Sequence, residues 1–248
     1  MSTIFLVLLP LAVRTTRLRA RHHGRRDWAL LVAFGVSDAL NAVLYFAALQ
    51  TTTVAVAVLT HYAAPLLVAI AAPLVLRERS HRHTLPAVLL GFAGLTLLLG
   101  PWNTDVADAS LLAGALLGLG SAVFYAVNIL FNKRLSESFE ASEMLAYHMP
   151  SALLLLALLV PAGGWVLPDT ALPWLLLGAL LPGVLGGLLF MRSLAQVPAA
   201  HASLLTLMEP VTALAIAAVA WGEVPSPSGL VGALAILAAG AWVVRGER

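Results

Sequence analysis

Apolar residues come in long runs along this chain, and polar residues gather in the short links between them. The pattern predicts nine helical segments, roughly 3–13, 28–49, 53–76, 84–101, 108–132, 142–161, 171–194, 200–221 and 227–244. Most are near 20 residues, the length that crosses a hydrocarbon layer about 30 Å thick. The strands of a membrane barrel would alternate apolar and polar residues, and these runs do not. The links are too short to be separate soluble domains and carry turn chemistry or charge, as in RERSHRHT and EVPSPSG.

Composition agrees with the pattern. Residues are 60% hydrophobic and 10% charged, against roughly 25% charged in a soluble domain. The class expected is an all-α integral membrane protein. The absence of cysteine excludes disulfides, thiolate metal sites and cysteine nucleophiles.

Net charge is only +2, but its placement is informative. Assigning the links alternately to two sides puts all 14 Lys and Arg on one side. These are Arg14, Arg17, Arg19, Arg21, Arg25, Arg26, Arg77, Arg79, Arg82, Lys133, Arg134, Arg192, Arg245 and Arg248. Asp105, Asp108, Asp169 and Glu223 fall on the other. Cytoplasmic loops retain Lys and Arg, so the basic side and the C-terminus are expected in the cytoplasm, with the chain in the cytoplasmic membrane. One missed or invented helix would scramble this split. The six tryptophans (Trp28, Trp102, Trp165, Trp174, Trp221, Trp242) fall at segment ends or in links, where indole favours the headgroup region. The first segment is short, and its basic residues follow the apolar run, unlike a secretory signal peptide.

Shifted by 145 residues, Tyr45–Glu78 aligns with Phe190–Glu223 without a gap. Leu49, Ala55, Ala57, Leu59, Pro65, Ala72 and Glu78 meet Leu194, Ala200, Ala202, Leu204, Pro210, Ala217 and Glu223. The informative part is a mid-helix proline followed 13 residues later by a glutamate, twice. The matched helices are five segments apart, and an odd number implies opposite orientations. Inverted repeats of this kind are a transporter architecture with the site near the midplane.

Two stretches carry a resemblance to a known family. LLAGALLGLGSAVFYAVNILFNKRL followed by LLFMRSLAQVPAAHASLLTLMEPVTALAIAAVAWGE resembles the second half of EamA-type carriers of the drug/metabolite transporter superfamily, and YFAALQTTTVAVAVLTHYAAPLLVAIAAPLVLRE resembles the matching part of the first half. The resemblance implies a ten-helix (5+5) inverted-repeat fold with about nine of its helices here. Residues 1–101 would form a first repeat lacking its first helix, and 107–246 the second repeat. It implies secondary transport, often export, of small metabolites such as amino acids.

Polar groups inside apolar segments mark the candidate site. A carboxylate at a helix centre costs about 2.5–3.5 kcal/mol on the insertion scale, so intramembrane ionisable groups are read as functional first. Glu209 lies about ten residues from each end of its segment. It is a substrate or proton site, or a neutral glutamate bonded to carbonyls freed by Pro210. Asp38, Asn41 and Tyr45 share one helical face, as a ligand site or as an interhelical hydrogen-bond network. Gly114, Gly118, Ser121, Tyr125, Asn128 and Asn132 form a stripe whose glycine end suits packing and whose Tyr125–Asn128 end suits a pore. His61 precedes Pro65 by about a turn and can relay protons; His148 and His201 are lone membrane histidines, more often packing residues. Arg192, near its helix end, is read as snorkelling to headgroups in preference to binding an anion. The Arg14–Arg26 stretch reads as a topology signal, and His22 with Asp27 as a chance acyltransferase-like spacing.

The substrate-binding or proton-coupling set expected is therefore Asp38, Asn41, Tyr45, His61, Tyr125, Asn128 and Glu209, with helix breaks at Pro65 and Pro210. No cofactor, metal or nucleic acid is expected. The partners are a small-molecule substrate and the lipid bilayer, with a homodimer left open. The function expected is alternating-access transport of a small polar metabolite, outward across the membrane and not enzymatic. The alternatives are a membrane enzyme acting on lipid-linked substrates and a non-transporting partner subunit.

Overall fold

The computed structural model describes residues 2–19, 23–78, 81–102, 108–159 and 169–246. Arg21, Arg79, Asp105, Trp165 and Arg248, which enter the charge and tryptophan patterns, lie outside the described residues. Among the described residues every regular element is helical: α1 (Ser2–Arg19), α2 (Arg25–Thr51), α3 (Val54–His61), α4 (Ala64–Val75), α5 (Thr84–Leu99), α6 (Asp108–Leu135), α7 (Ala141–Tyr147), α8 (Met149–Leu159), α9 (Leu172–Gly178), α10 (Gly187–Gln196), α11 (Ala199–Leu205), α12 (Met208–Trp221) and α13 (Pro227–Gly246). Among the described residues seven helical stretches are long and apolar enough to cross a membrane: 25–51, 54–75, 109–135, 141–159, 172–196, 199–221 and 227–246. The other two expected segments are helices as well, α5 over 16 residues and α1 over 18. Helix α1 runs past the expected 3–13 through Arg14 and Arg17 to Arg19, so the start of the basic link is itself helical.

Many side chains on these helices are apolar and outward-facing. Leu74, Leu158, Trp174 and Val219 are 79%, 76%, 74% and 89% exposed. Such a surface is unfavourable in water and suits a chain solvated by lipid.

The chain forms two compact units, each drawing on both halves of the sequence. The first comprises Met1–Leu40 and Phe131–Val197. There α1 packs along α7, and α10 also lies against α7. Leu8, Leu31, Phe34, Phe139, Met144 and Met149 fill the core. The second comprises Asn41–Leu130 and Pro198–Arg248. Helix α5 packs along α13, and α11 against α4, around Tyr62, Val88, Leu95, Leu204, Leu207 and Ile236. The α5–α13 contact is close because Gly94 and Gly232 meet there. A Cβ on Gly94 would stand 2.7 Å from the Gly232 carbonyl oxygen.

Proline chemistry explains two helix breaks in the second unit. Pro65 is the second residue of α4 and Pro210 the third of α12, and neither has an N–H to continue the i→i−4 ladder. Tighter i→i−3 bonds take over, from Ala63 N to Thr60 O (3.2 Å) and from Glu209 N to Thr206 O (3.0 Å). Both proline helices also end alike. After α4 comes Arg77 at φ 57°, and after α12 comes Gly222 at φ 69°. The starts of α3 and α4, at residues 54 and 64, correspond under the 145-residue shift to 199 and 209. Helices α11 and α12 start at 199 and 208.

The seventh expected segment, 171–194, is not one regular helix. A 3₁₀ turn (Asp169–Ala171) leads into α9, and Ala179–Gly186 is π-helical before α10. Pro182 sits inside the π stretch, where the Gly187 N–H reaches the Pro182 carbonyl five residues back.

Candidate functional site

The second unit gathers most of the expected site residues. Asn41 and Tyr45 come from the last turns of α2, His61 from the end of α3, Ser121, Tyr125 and Asn128 from α6, and Glu209 from the first turn of α12. The two proline breaks set their placement. The first ends α3 at His61 and leaves Tyr62 as the joint between α3 and α4. The second makes Glu209 part of a helix N-terminus, where unpaired backbone N–H groups and the helix dipole favour an anion.

His61 is the hub. Its ring is 4.4 Å from Tyr45 and 4.9 Å from Tyr125 between centroids, stacked at 24° on the latter. Nδ1 lies 2.7 Å from Ser121 Oγ, and that hydroxyl donates to Asn41 Oδ1 at 2.9 Å. A hydroxyl has one proton. Since it goes to Asn41, Ser121 accepts from His61, which fixes the proton on Nδ1. The chain Asn41–Ser121–His61 thus links α2, α6 and α3.

Tyr62, 8% exposed, donates its hydroxyl proton to Glu209 Oε2 at 2.5 Å. Glu209 is exposed, so its carboxyl is open to a ligand while anchored on one side. The freed carbonyls near Pro210 are not its partner in this arrangement. Asn41, Tyr45, His61 and Tyr125 are half-buried, and Asn128, one turn along α6 from Tyr125, is 6% exposed. The glycine end of the α6 stripe packs as expected: Cβ atoms on Gly114 and Gly118 would run into Thr52 and Thr60.

Tyr62 and Ser121 were not in the expected site set. Each carried a weak signal, Tyr62 as the neighbour of His61 and Ser121 as a member of the α6 stripe.

Asp38 falls in the first unit, and its partner is His148. Asp38 Oδ2 is 3.6 Å from His148 Nε2, and His148 Nδ1 is 2.7 Å from the Met144 carbonyl oxygen. His148 is thus bonded to its own helix and lies beside a carboxylate. His201, in the second unit, is 2% exposed and bonded to Thr84 Oγ1 through Nε2 at 3.0 Å, as a packing histidine would be. Arg192 is exposed and lines an open cavity of about 280 Å³ in the first unit, with Phe139, Glu140, Met144 and Met191. Among the described residues no three His, Cys, Asp or Glu converge as a metal ion requires.

Comparison with known proteins adds to this geometry. The model of a family described as the EamA-like transporter family matches residues 1–100 and 112–245. An "Uncharacterized transporter" of Archaeoglobus fulgidus is 30% identical over 94% of this chain and 80% of its own length. "Uncharacterized transporter YwfM" of Bacillus subtilis is 30% identical over 91% of this chain and 76% of its own. The "Riboflavin transporter" of Vibrio cholerae is 36% identical over 46% of this chain and 36% of its own length. A solved crystal structure shares the fold, with a TM-score of 0.76 over 98% of this chain and 85% of that one at 20% identity.

Proposed function

We propose, from the premise that this chain belongs to the EamA-like transporter family, that it is a secondary carrier that binds a small polar metabolite at the His61-centred cluster. The observation that carries the reading is the convergence of Asn41, Tyr45, His61, Ser121, Tyr125 and Glu209 from four helices. Aromatic faces offer stacking, Asn41 offers an amide, and Glu209 offers a charge seated on a helix N-terminus. Membrane carriers place such groups at broken helices, and both broken helices of the second unit flank this cluster.

Two repeats of opposite orientation account for the paired breaks at Pro65 and Pro210 and for the paired left-handed ends at Arg77 and Gly222. In this reading residues 1–101 and 107–246 are the repeats, nine segments cross the cytoplasmic membrane, and the basic side with the C-terminus faces the cytoplasm. Transport is outward by alternating access. The family and its named relatives point to transport rather than to an enzyme or partner subunit acting on lipid-linked substrates. The substrate class is a small polar solute with a flat or amino-acid-like polar part. The tyrosine and histidine faces suit a planar heteroaromatic of the kind named for the Vibrio cholerae relative.

The test is flux in proteoliposomes of the purified chain, using riboflavin and a panel of labelled amino acids as probes. Glu209→Gln and Tyr125→Ala should each reduce flux at least tenfold. Wild-type flux in both variants would overturn the site.

A further inference from the structure

We infer that Asp38 and His148 together form a binding site for a single proton, which fastens α2 to the α7–α8 junction. Nothing beyond the first unit enters the argument.

The inference follows from hydrogen-bond chemistry at His148. A backbone carbonyl only accepts, so the 2.7 Å contact between Nδ1 and Met144 O places a proton on Nδ1. In the neutral ring Nε2 then carries a lone pair. That lone pair faces Asp38 Oδ2 at 3.6 Å. An ionised carboxylate and an imidazole lone pair repel each other, and the repulsion is felt at a ring that is itself 2% exposed, beside an Asp38 side chain that is 28% exposed. One added proton reverses the sign. It forms an N–H bond at Nε2, giving an imidazolium–carboxylate pair, or an O–H bond at Oδ2, giving a neutral acid that donates to the ring. Either form holds one proton more than the repelling state, and no heavy-atom bond changes. The proton belongs to the pair.

The surroundings are built for such a pair. Phe34 stacks on the imidazole at 4.6 Å and 22°. Ser151 donates to the His148 carbonyl at 2.8 Å. Gly35, one turn before Asp38, lies so close to His148 that an added Cβ would collide with the His148 carbonyl oxygen and the Ser151 hydroxyl. The backbones therefore touch here, and the proton decides whether the touching helices attract.

The described titratable groups nearby are engaged elsewhere or exposed. Glu143 on α7 accepts from Thr16 Oγ1 (2.6 Å) and from the Glu140 N–H (2.8 Å), with His23 Nε2 at 3.9 Å. The Tyr147 hydroxyl is 3.0 Å from Thr16 Oγ1. Glu140 is held in the α7 capping box. Arg14 and Arg17 on α1, Arg25, Arg26 and Asp27 on α2, and Arg192 on α10 are exposed or partly exposed.

The transport consequence rests on the carrier reading: releasing this proton loosens α2 from the α7–α8 junction, which makes the pair the coupling site for a proton gradient. The test separates the two. The full chain in nanodiscs carries ¹⁵N-labelled histidine and ¹³C-carboxyl-labelled aspartate, with His148 and Asp38 signals identified by their loss in His148→Gln and Asp38→Asn. In wild type the two signals should move together through one one-proton transition. In Asp38→Asn the His148 ring should stay neutral, Nδ1-protonated, through that range. If Asp38→Asn does not fold, His148→Gln serves instead, and the Asp38 carboxyl should lose the shared transition. Independent titration of the two groups in wild type, or a His148 signal identical in wild type and Asp38→Asn, overturns the proton site. Proteoliposomes with the pH dye pyranine inside, an imposed pH gradient and riboflavin or amino acids as probes address transport. Solute flux with independent titration leaves the carrier reading standing without the proton site. A shared transition without any solute flux leaves the proton site standing without the carrier.

Discussion

The Tyr62 hydroxyl reaches Glu209 Oε2 at 2.5 Å, joining the break in one proline helix to the first turn of the other. The distance lies in the range of a charge-assisted O–H···O⁻ bond, about 2.5–2.7 Å. A neutral interhelical bond in a membrane protein is worth about 0.6 kcal/mol, whereas bonds to charged groups reach about 1.5–3 kcal/mol. A double-mutant cycle with Tyr62→Phe and Glu209→Ala, read by unfolding in detergent, should give a coupling of about 1.5–3 kcal/mol. A coupling near the neutral value would overturn the charge-assisted reading of this contact.

The His61–Ser121–Asn41 chain predicts a tautomer. Because Ser121 spends its one proton on Asn41, His61 holds its proton on Nδ1, and ¹⁵N spectra of the imidazole should show that form. Ser121→Ala should erase the preference and lower stability by about 0.5–1.5 kcal/mol, the net worth of an ordinary hydrogen bond. An unchanged His61 tautomer in Ser121→Ala would contradict this chain.

Lys133 ends α10. Its ammonium donates to the carbonyls of Leu194, Ala195 and Val197 at 3.0, 3.2 and 2.7 Å, the acceptors a helix leaves open at its C-terminus. Lys133→Met should cost about 1.5–3 kcal/mol, because the donor is charged and the acceptors lose their partner. Arg134→Met is the control. Its pairing with Glu137 is on the surface, with side chains 48% and 65% exposed, and surface pairs are worth about 0–1 kcal/mol. Thermal unfolding of the two variants should separate them, and hydrogen exchange near Leu194–Val197 should rise only in Lys133→Met.

The helices were legible in the sequence because each apolar run records its own environment. The Pro65 and Pro210 breaks were legible because a missing N–H acts locally. The irregular stretch Ala179–Gly186 was not, since Pro182 and its neighbouring glycines fix where a helix is weak without saying whether it kinks or widens. In the site, His61, Tyr125 and Glu209 stood out as polar groups in apolar runs. What periodicity could not supply was partnership. Asp38 and His148 are 110 residues apart, and the face Asp38 shares with Asn41 and Tyr45 pointed to neighbours on its own helix. Lys133 read as a topology charge for the same reason, since its three acceptors are backbone atoms with no side-chain signature.

The left-handed residues after the two proline helices give a last prediction. Arg77 sits at φ 57° and Gly222 at φ 69°, equivalent positions under the 145-residue shift. The left-handed region costs a residue with a Cβ about 1–2 kcal/mol, and glycine loses about 0.5–1 kcal/mol more conformational freedom on folding. The difference favours glycine by about 0.5–1 kcal/mol at such a position. Arg77→Gly should therefore raise stability by about that much, and Gly222→Ala should lower it similarly. At Gly222 a new Cβ would meet nothing within 4 Å, so a loss there reports backbone conformation and not a clash. Thermal unfolding in detergent checks both, and equal and opposite shifts would show that the two helix ends obey one backbone rule. Arg77→Gly leaving stability unchanged would mean that the Arg77 side chain makes up for its strained backbone through contacts of its own.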